Sequence, residues 1–206
     1  MKKHFSIPMG WDTDVNVAAL GEATWGAAVG LDSCIYITVG TGIGGGVLSE
    51  GKLIHGLVHP EMGHIPVKRH PQDLFEGNCP FHGDCLEGMA SGPAIRKRWG
   101  ESGDELATEN IVWEIEAYYL AQAVVHAILF LSPKRVILGG GVMNQEQLFP
   151  LIRHHVLEML NGYIQNDRIL KKIDSYIVAP GLGDNAGLCG TFALARQAWE
   201  KNNIRG

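Results

Sequence analysis

Apolar and small residues recur at helical spacing through "DVNVAALGEATWGAA", so the pattern predicts a first helix beginning at Asp14. The period then changes. "CIYITVG" is a β-branched run closed by glycines and reads as a strand. "GGVLSEGKLIHG" continues as two short strands around a Ser-Glu-Gly turn. No regular period holds from about His59 to Glu87, which predicts a loop-rich insert. Beyond it, "SGPAIRKRW" opens a helix with Ser91 as cap and Pro93 in the first turn, where its missing N–H does no harm. A long helix follows from about Ile111 to Leu131, stopped at Ser132-Pro133 because proline disfavours helical geometry in the residue before it. The rest alternates: "RVILGGG" a buried strand, "QEQLFPLIRHHVLEMLNGY" a helix, "SYIVAP" a strand and "DNAGLCGTFALARQAW" a final helix. This order predicts an α/β layer architecture in which a strand meander feeds parallel crossovers.

Composition narrows the function classes. With 46% apolar and 19% charged residues among 206, the chain has the makeup of a folded domain rather than a disordered one. The net charge is −5, and the one basic cluster, "RKRW" at 96–99, reads as an exposed helix face, so a nucleic-acid partner is not expected. The apolar run "AVVHAILFL" at 123–131 is too short for a bilayer, and "MKKHFSIPMG" has a positive start but no apolar stretch behind it, so no membrane role is expected either. Four cysteines do not make a disulfide framework and fit a reducing cytoplasm. Cys34 and Cys189 stand alone in apolar runs and are expected to pack in the core.

The candidate chemistry lies in the glycine turns and in the insert. "ITVGTGIGGGVL" places Gly40, Thr41 and Gly42 at a tip where backbone N–H groups can converge on an anion. A tight hairpin that needs glycine for positive φ is the competing reading, and no Lys-Ser/Thr follows to make a Walker loop. Gly139, Gly140 and Gly141 end a strand at the edge where open α/β sheets bind nucleotides, or else serve close packing. "PGLGDNAG" is a third such turn. Within the insert, Cys79, His82 and Cys85 form C-x2-H-x2-C. Tetrahedral zinc needs a fourth ligand, for which His64 is nearest, with His55, His59 and His70 as competitors. Four protein ligands would close the site and make the metal structural. Glu61 and Glu87 would stand beside it, and Asp14 is an isolated carboxylate at a helix start, where a capping role is the alternative.

These segments together resemble the ROK family of sugar kinases and regulators, and within it the bacterial fructokinase branch. "DTDVNVAALGE", "VGTGIGGG", "HPEMGHIPV", "CPFHGDCLEGMASGPA", "LGGGVM" and "GDNAGLCG" are similar to that family's motifs from about Phe5 to Trp199. The resemblance implies one lobe of a ribonuclease-H-like, actin/hexokinase-type fold with a zinc-binding insert at about 59–87. It implies Asp14 as general base, and Glu61, His64 and Glu87 at the sugar. Gly40, Thr41 and Gly42 would lie at the phosphates, and Gly139, Gly140 and Gly141 at the adenosine. His64, Cys79, His82 and Cys85 would bind structural Zn²⁺, and Mg²⁺ would come with ATP. Thr13 stands where the family's glucose and amino-sugar kinases have Asn, which favours a different sugar, and fructose is expected. The resemblance also implies a homodimer and a preceding lobe that holds the phosphates from the other side. Residues 1–206 match the C-terminal lobe alone, so by themselves they are expected to turn over slowly. The alternatives are a sugar-sensing domain of a ROK-type repressor or an inactive zinc-stabilised remnant.

Overall fold

The computed structural model describes residues 7–106 and 110–203; the reading of "MKKHFSIPMG" therefore falls largely on residues 1–6, which lie outside them. The chain runs α1 (Asp14–Trp25), β1 (Cys34–Val39), β2 (Ile43–Ser49), β3 (Lys52–Leu53), α2 (Leu86–Ala90), α3 (Gly92–Trp99), α4 (Asn110–Leu131), β4 (Val136–Gly139), α5 (Leu148–Leu160), α6 (Asp167–Leu170), α7 (Ile173–Tyr176), β5 (Ile177–Val178) and α8 (Ala186–Asn203). Short 3-10 turns at Met62–His64, Gly141–Asn144 and Gly183–Asn185 interrupt the connections. The sheet order is β3-β2-β1-β4-β5. β1, β2 and β3 form the antiparallel meander, and β1, β4 and β5 run parallel. Thr38 pairs with Gly139, so the glycine turns after β1 and β4 leave the sheet side by side.

β1 explains the layering. Its side chains alternate between faces, as pleated strands require. Ile35, Ile37 and Val39 join the larger core beneath α4 and α5, while Cys34 and Tyr36 join Ala18, Ala19, Ile137 and Ala186 on the opposite face beneath α1 and α8. Both faces being covered accounts for the continuous apolar runs of β1 and β4.

Several expectations are corrected. Within α4, Ile111–Leu131 has the length and apolarity to cross a membrane, although the shorter run inside it did not. Its buried Trp113, Ile115, Tyr119, Leu120 and Val124 show why: it is the helix on which the larger core is built. The helix start at Asp14 is right, but Thr13 is the cap, its hydroxyl accepting from Asn16 N at 3.3 Å. "RKRW" is not wholly an exposed face, because the Arg98 side chain is only 5% exposed. Cys34 is in the core, whereas Cys189 is half-buried on α8. The strand in "SYIVAP" is just Ile177–Val178, since Tyr176 turns inward to donate to Pro133 O at 2.9 Å. α2 escaped the pattern reading because five residues that include Gly88 carry little helical signal of their own.

Two buried carboxyls have opposite circumstances. Glu22 is fully buried, and its carboxylate accepts from Ala27 N, Gly181 N and Leu182 N at 2.6, 2.9 and 3.0 Å. It thereby pins the third glycine turn against α1. Glu116 is equally buried, but neither oxygen has a hydrogen-bond partner among the described residues. Burial drives its carboxyl well above the usual range, against the pull of Arg98 and with the push of Asp73. A raised acid keeps its proton to higher pH in the folded chain than in the unfolded one, which ionises above about 4.5, so this group takes stability away as pH rises. The isosteric Glu116→Gln should match the parent in chemical denaturation near pH 4 and exceed it at pH 7. A variant less stable than the parent at pH 7 would mean that Glu116 is ionised.

Candidate functional site: a thiol–imidazole cluster joined to a glycine hairpin

The insert folds its four candidate ligands together. His64, Cys79, His82 and Cys85 each present one ligand atom, and all four atoms lie within 4.8 Å of one another. His64 Nδ1 stands 3.5 Å from Cys85 Sγ and 3.8 Å from Cys79 Sγ, and His82 Nδ1 is 3.6 Å from Cys79 Sγ. A tetrahedron with Zn–S bonds of about 2.3 Å and Zn–N bonds of about 2.0–2.1 Å has S···N edges of about 3.6 Å. The donor set and its spacing therefore fit such an ion.

Local structure explains how the ligands meet. Cys79 and Gly83 exchange backbone hydrogen bonds at 3.1 and 2.9 Å, which doubles the loop back on itself. Cys85 caps α2, and the 3-10 turn at Met62–His64 brings in the remaining imidazole. Burial opposes ionisation at Cys79, but the His82 and Phe81 N–H groups, with Cys85 and His82, bring it down to about 7. Burial and the neighbouring Cys79 push Cys85 up. The three competing histidines are placed elsewhere. His55 Nε2 pairs with Asp12 at 2.8 Å, His59 Nδ1 faces the Thr13 hydroxyl at 3.4 Å, and His70 packs edge-on against Tyr118.

Glu87, two residues beyond Cys85, connects this cluster to the hairpin between β1 and β2. Its Oε1 is 3.8 Å from His64 Nε2, and its Oε2 accepts from Ile43 N at 2.9 Å. A Cβ on residue 42 would stand 2.8 Å from that oxygen, so glycine at 42 is needed for the close approach. The turn is a tight hairpin, but neither Gly40 nor Gly42 has positive φ, so glycine is not required there for that reason. Gly44, Gly45 and Gly46 serve another purpose, since Val15 packs on β2 at Gly44 and Met62 packs on it at Gly45. At the tip itself, Gly40 spends its N–H on Gly42 O and its carbonyl on Gly92 N. Among the described residues the N–H groups of Thr41 and Gly42 find no partner, and Thr41 is exposed. A Cβ at Gly40 would meet nothing within 4 Å.

Asp14 is exposed at the first position of α1. Its Oδ1 accepts from Val15 N at 2.9 Å, while Oδ2 has no partner among the described residues. Because Val15 packs on Gly44 and Thr13 meets His59, the start of α1 gathers with the hairpin and with the segment that carries Glu61 and His64. Glu61 itself is exposed, just ahead of the turn at Met62–His64. Beside them an open hollow of about 420 Å³ is lined by Trp11, Thr13, His55 and His59. Asp12 also lies there, its side chain only 6% exposed. Burial opposes its charge, yet hydrogen bonds from Asn16, Thr13 and His55 hold it below the usual carboxylate range. Asp12 was not singled out from sequence, and His59 was named only as a competing metal ligand; an acid two residues before Asp14 was the available signal. Of the second glycine turn, Gly139 is buried against Tyr36, Gly140 has φ 91° and presses on Val39, and Gly141 alone is exposed.

Comparison with known proteins follows this geometry. A family model described as the ROK family matches residues 1–198. A Bacillus subtilis protein is 53% identical over 206 residues, which are all of this chain and 69% of that protein. The fructokinase of Zymomonas mobilis is 50% identical over 204 residues, covering 97% of this chain and 66% of its own. Among solved structures, a ROK family glucokinase from Streptomyces griseus in complex with glucose and AMPPNP aligns with a TM-score of 0.67 at 26% identity, over 95% of this chain and 70% of that one. The chain thus spans about two thirds of the length of these relatives. By the family match and by these identities, the chain belongs to the ROK family, on its sugar-kinase side.

Proposed function

We propose that the chain forms the sugar-binding lobe of an ATP-dependent fructokinase, converting fructose to fructose 6-phosphate in the cytoplasm. The observation that carries this reading is Glu87, whose one carboxylate touches both the metal-ligand loop and the hairpin tip. A sugar held by Glu61, His64 and Glu87, with Thr13 at its side, would lie between Asp14 and the unpartnered N–H groups of Thr41 and Gly42. Asp14 Oδ2 takes the proton of the 6-hydroxyl as that oxygen attacks the γ-phosphorus of ATP and the bond to ADP breaks. Such transfer needs little beyond positioning, charge stabilisation and one carboxylate within reach. Gly141 lies at the exposed end of the neighbouring turn and offers backbone to the nucleotide, with Gly139 and Gly140 shaping that turn from beneath. Mg²⁺ bound with ATP would supply charge neutralisation on the phosphates. Zn²⁺ suits the two thiols and two imidazoles of Cys79, Cys85, His64 and His82, and with four protein ligands it is structural. His64 would then serve twice, its Nδ1, which faces the two thiols, holding the metal and its Nε2 facing the sugar side. The homodimer implied by the resemblance belongs to the same proposal.

Product analysis tests the sugar and the position. The reading expects fructose 6-phosphate from fructose and Mg-ATP, with glucose used far less well. Equal or better use of glucose, or phosphate on another hydroxyl, would count against it.

A further inference from the structure

The insert is also held at a place where no metal ligand lies. Between His64 and Cys79 the chain passes along one side of α4 and is tied to it repeatedly. Lys68 N donates to Gln122 Oε1 at 2.7 Å, and Gln122 Nε2 donates to Lys68 O at 3.0 Å. His70 N donates to Tyr119 Oη at 3.1 Å. Tyr119 in turn donates to Asp73 Oδ2 at 2.7 Å, and Asp73 Oδ1 accepts from Phe75 N at 3.0 Å. The centre of this arrangement is Arg98 of α3. Its Nη2 lies 3.1 Å from Asp73 Oδ2 and donates to Met89 O at 2.7 Å, while its guanidinium stacks 4.7 Å from the Phe75 ring centre. The side chains of Arg98 and Asp73 are 5% and 3% exposed.

We propose that the buried Arg98–Asp73–Tyr119 cluster is a second lock on the insert, one that positions the metal ligands and Glu87 without touching either. Arg98 reaches both halves of the assembly. Through Asp73 it fixes the strap that leads from His64 to Cys79. Through Met89 O it holds the far end of α2, the helix that Cys85 caps and that carries Glu87. A strap tied down in its middle brings His64 to the thiols with less of its loop left to close, so ligand encounter costs less entropy. The pair is also committed: removing one partner of a buried ion pair strands the other charge and is strongly destabilising, here within the insert. Lysine cannot substitute fully: its ammonium could reach Asp73 and Met89 O, which Nη2 alone meets here, but it lacks the planar guanidinium that stacks on the Phe75 ring.

This inference rests on the metal reading above, and its test is metal release rather than activity. The zinc-loaded chain is challenged with excess chelator while a zinc indicator follows release. Supporting groups around metal ligands commonly alter affinity by about 10–100-fold, and release from Asp73→Asn and Arg98→Met should be about tenfold faster or more. Arg98→Lys should fall between these and the parent. Tyr119→Phe removes a single hydroxyl and keeps the test usable if the charge variants fail to fold; it should move release in the same direction by less. Glu22→Gln, on the opposite face of the sheet, should lower global stability and leave release at the parent rate. Release within twofold of the parent from folded Asp73→Asn and Tyr119→Phe chains overturns the inference alone. A parent chain that takes up no zinc overturns the metal reading and this inference with it.

Discussion

Asp14→Asn should lower fructose-dependent ADP formation by about 10²–10⁴, the usual worth of a positioned general base. The substitution is nearly isosteric, and the amide oxygen can still accept from Val15 N, so the helix start should survive. What disappears is the basicity of Oδ2, the oxygen left without a partner beside the hairpin. The loss should therefore fall on kcat, with the KM for sugar changed little, because an interaction made only in the transition state lowers kcat and kcat/KM together. The assay uses a protein that also carries the phosphate-side lobe implied by the resemblance. A near-normal kcat would remove Asp14 from the reaction.

Loss of the metal should have the other large effect, on stability and on the site together. Cys79→Ala, or chelation of the parent, should lower the thermal midpoint by about 10 °C or more, since each kcal/mol is worth about 2–4 °C at this size and structural zinc contributes folding free energy outright. Protease cleavage should appear first within residues 76–84, where the loop folds back on itself. Glu87 would then lose its fixed neighbour His64, and the hairpin contact at Ile43 would loosen with it. Metal analysis of chain purified without chelator should give about one zinc per chain. A Cys79→Ala chain that melts with the parent would show that no structural metal is present.

Much of the fold could be read from the chain because local signals and burial agree there. β1 and β4 are β-branched runs closed by glycines, and α3 and α5 carry helical periods, whereas α1 was legible from its small and apolar composition, being buried without a break from Val15 to Glu22. The elements that escaped, α2, α6 and α7, are four or five residues long and exist because neighbours hold them. At the site, the C-x2-H-x2-C spacing marked three ligands, yet sequence could only rank His64 as the fourth. The structure brings His64 to the thiols and sends His55, His59 and His70 to other partners. The glycine cluster was legible as a turn but not in its parts. Gly44 to Gly46 are spaced for packing on both faces of β2, which no local rule distinguishes from a phosphate loop. Arg98 was misread because helix-surface statistics treat a basic run as solvated, and only the fold places Asp73 opposite it.

The central claim is that this lobe, completed by a phosphate-side lobe, phosphorylates fructose with ATP. The most direct measurement is fructose-dependent ADP release with Mg-ATP, run on the 206 residues alone and on the same residues joined to the remaining third of the Zymomonas relative. The account predicts turnover within the ordinary enzyme range of about 1–10³ s⁻¹ for the joined protein. It predicts little or none for the 206 residues alone, because on the proposed reading Thr41 and Gly42 would face the phosphoryl group from one side only. A folded, zinc-loaded joined protein that releases no ADP in response to fructose would contradict it.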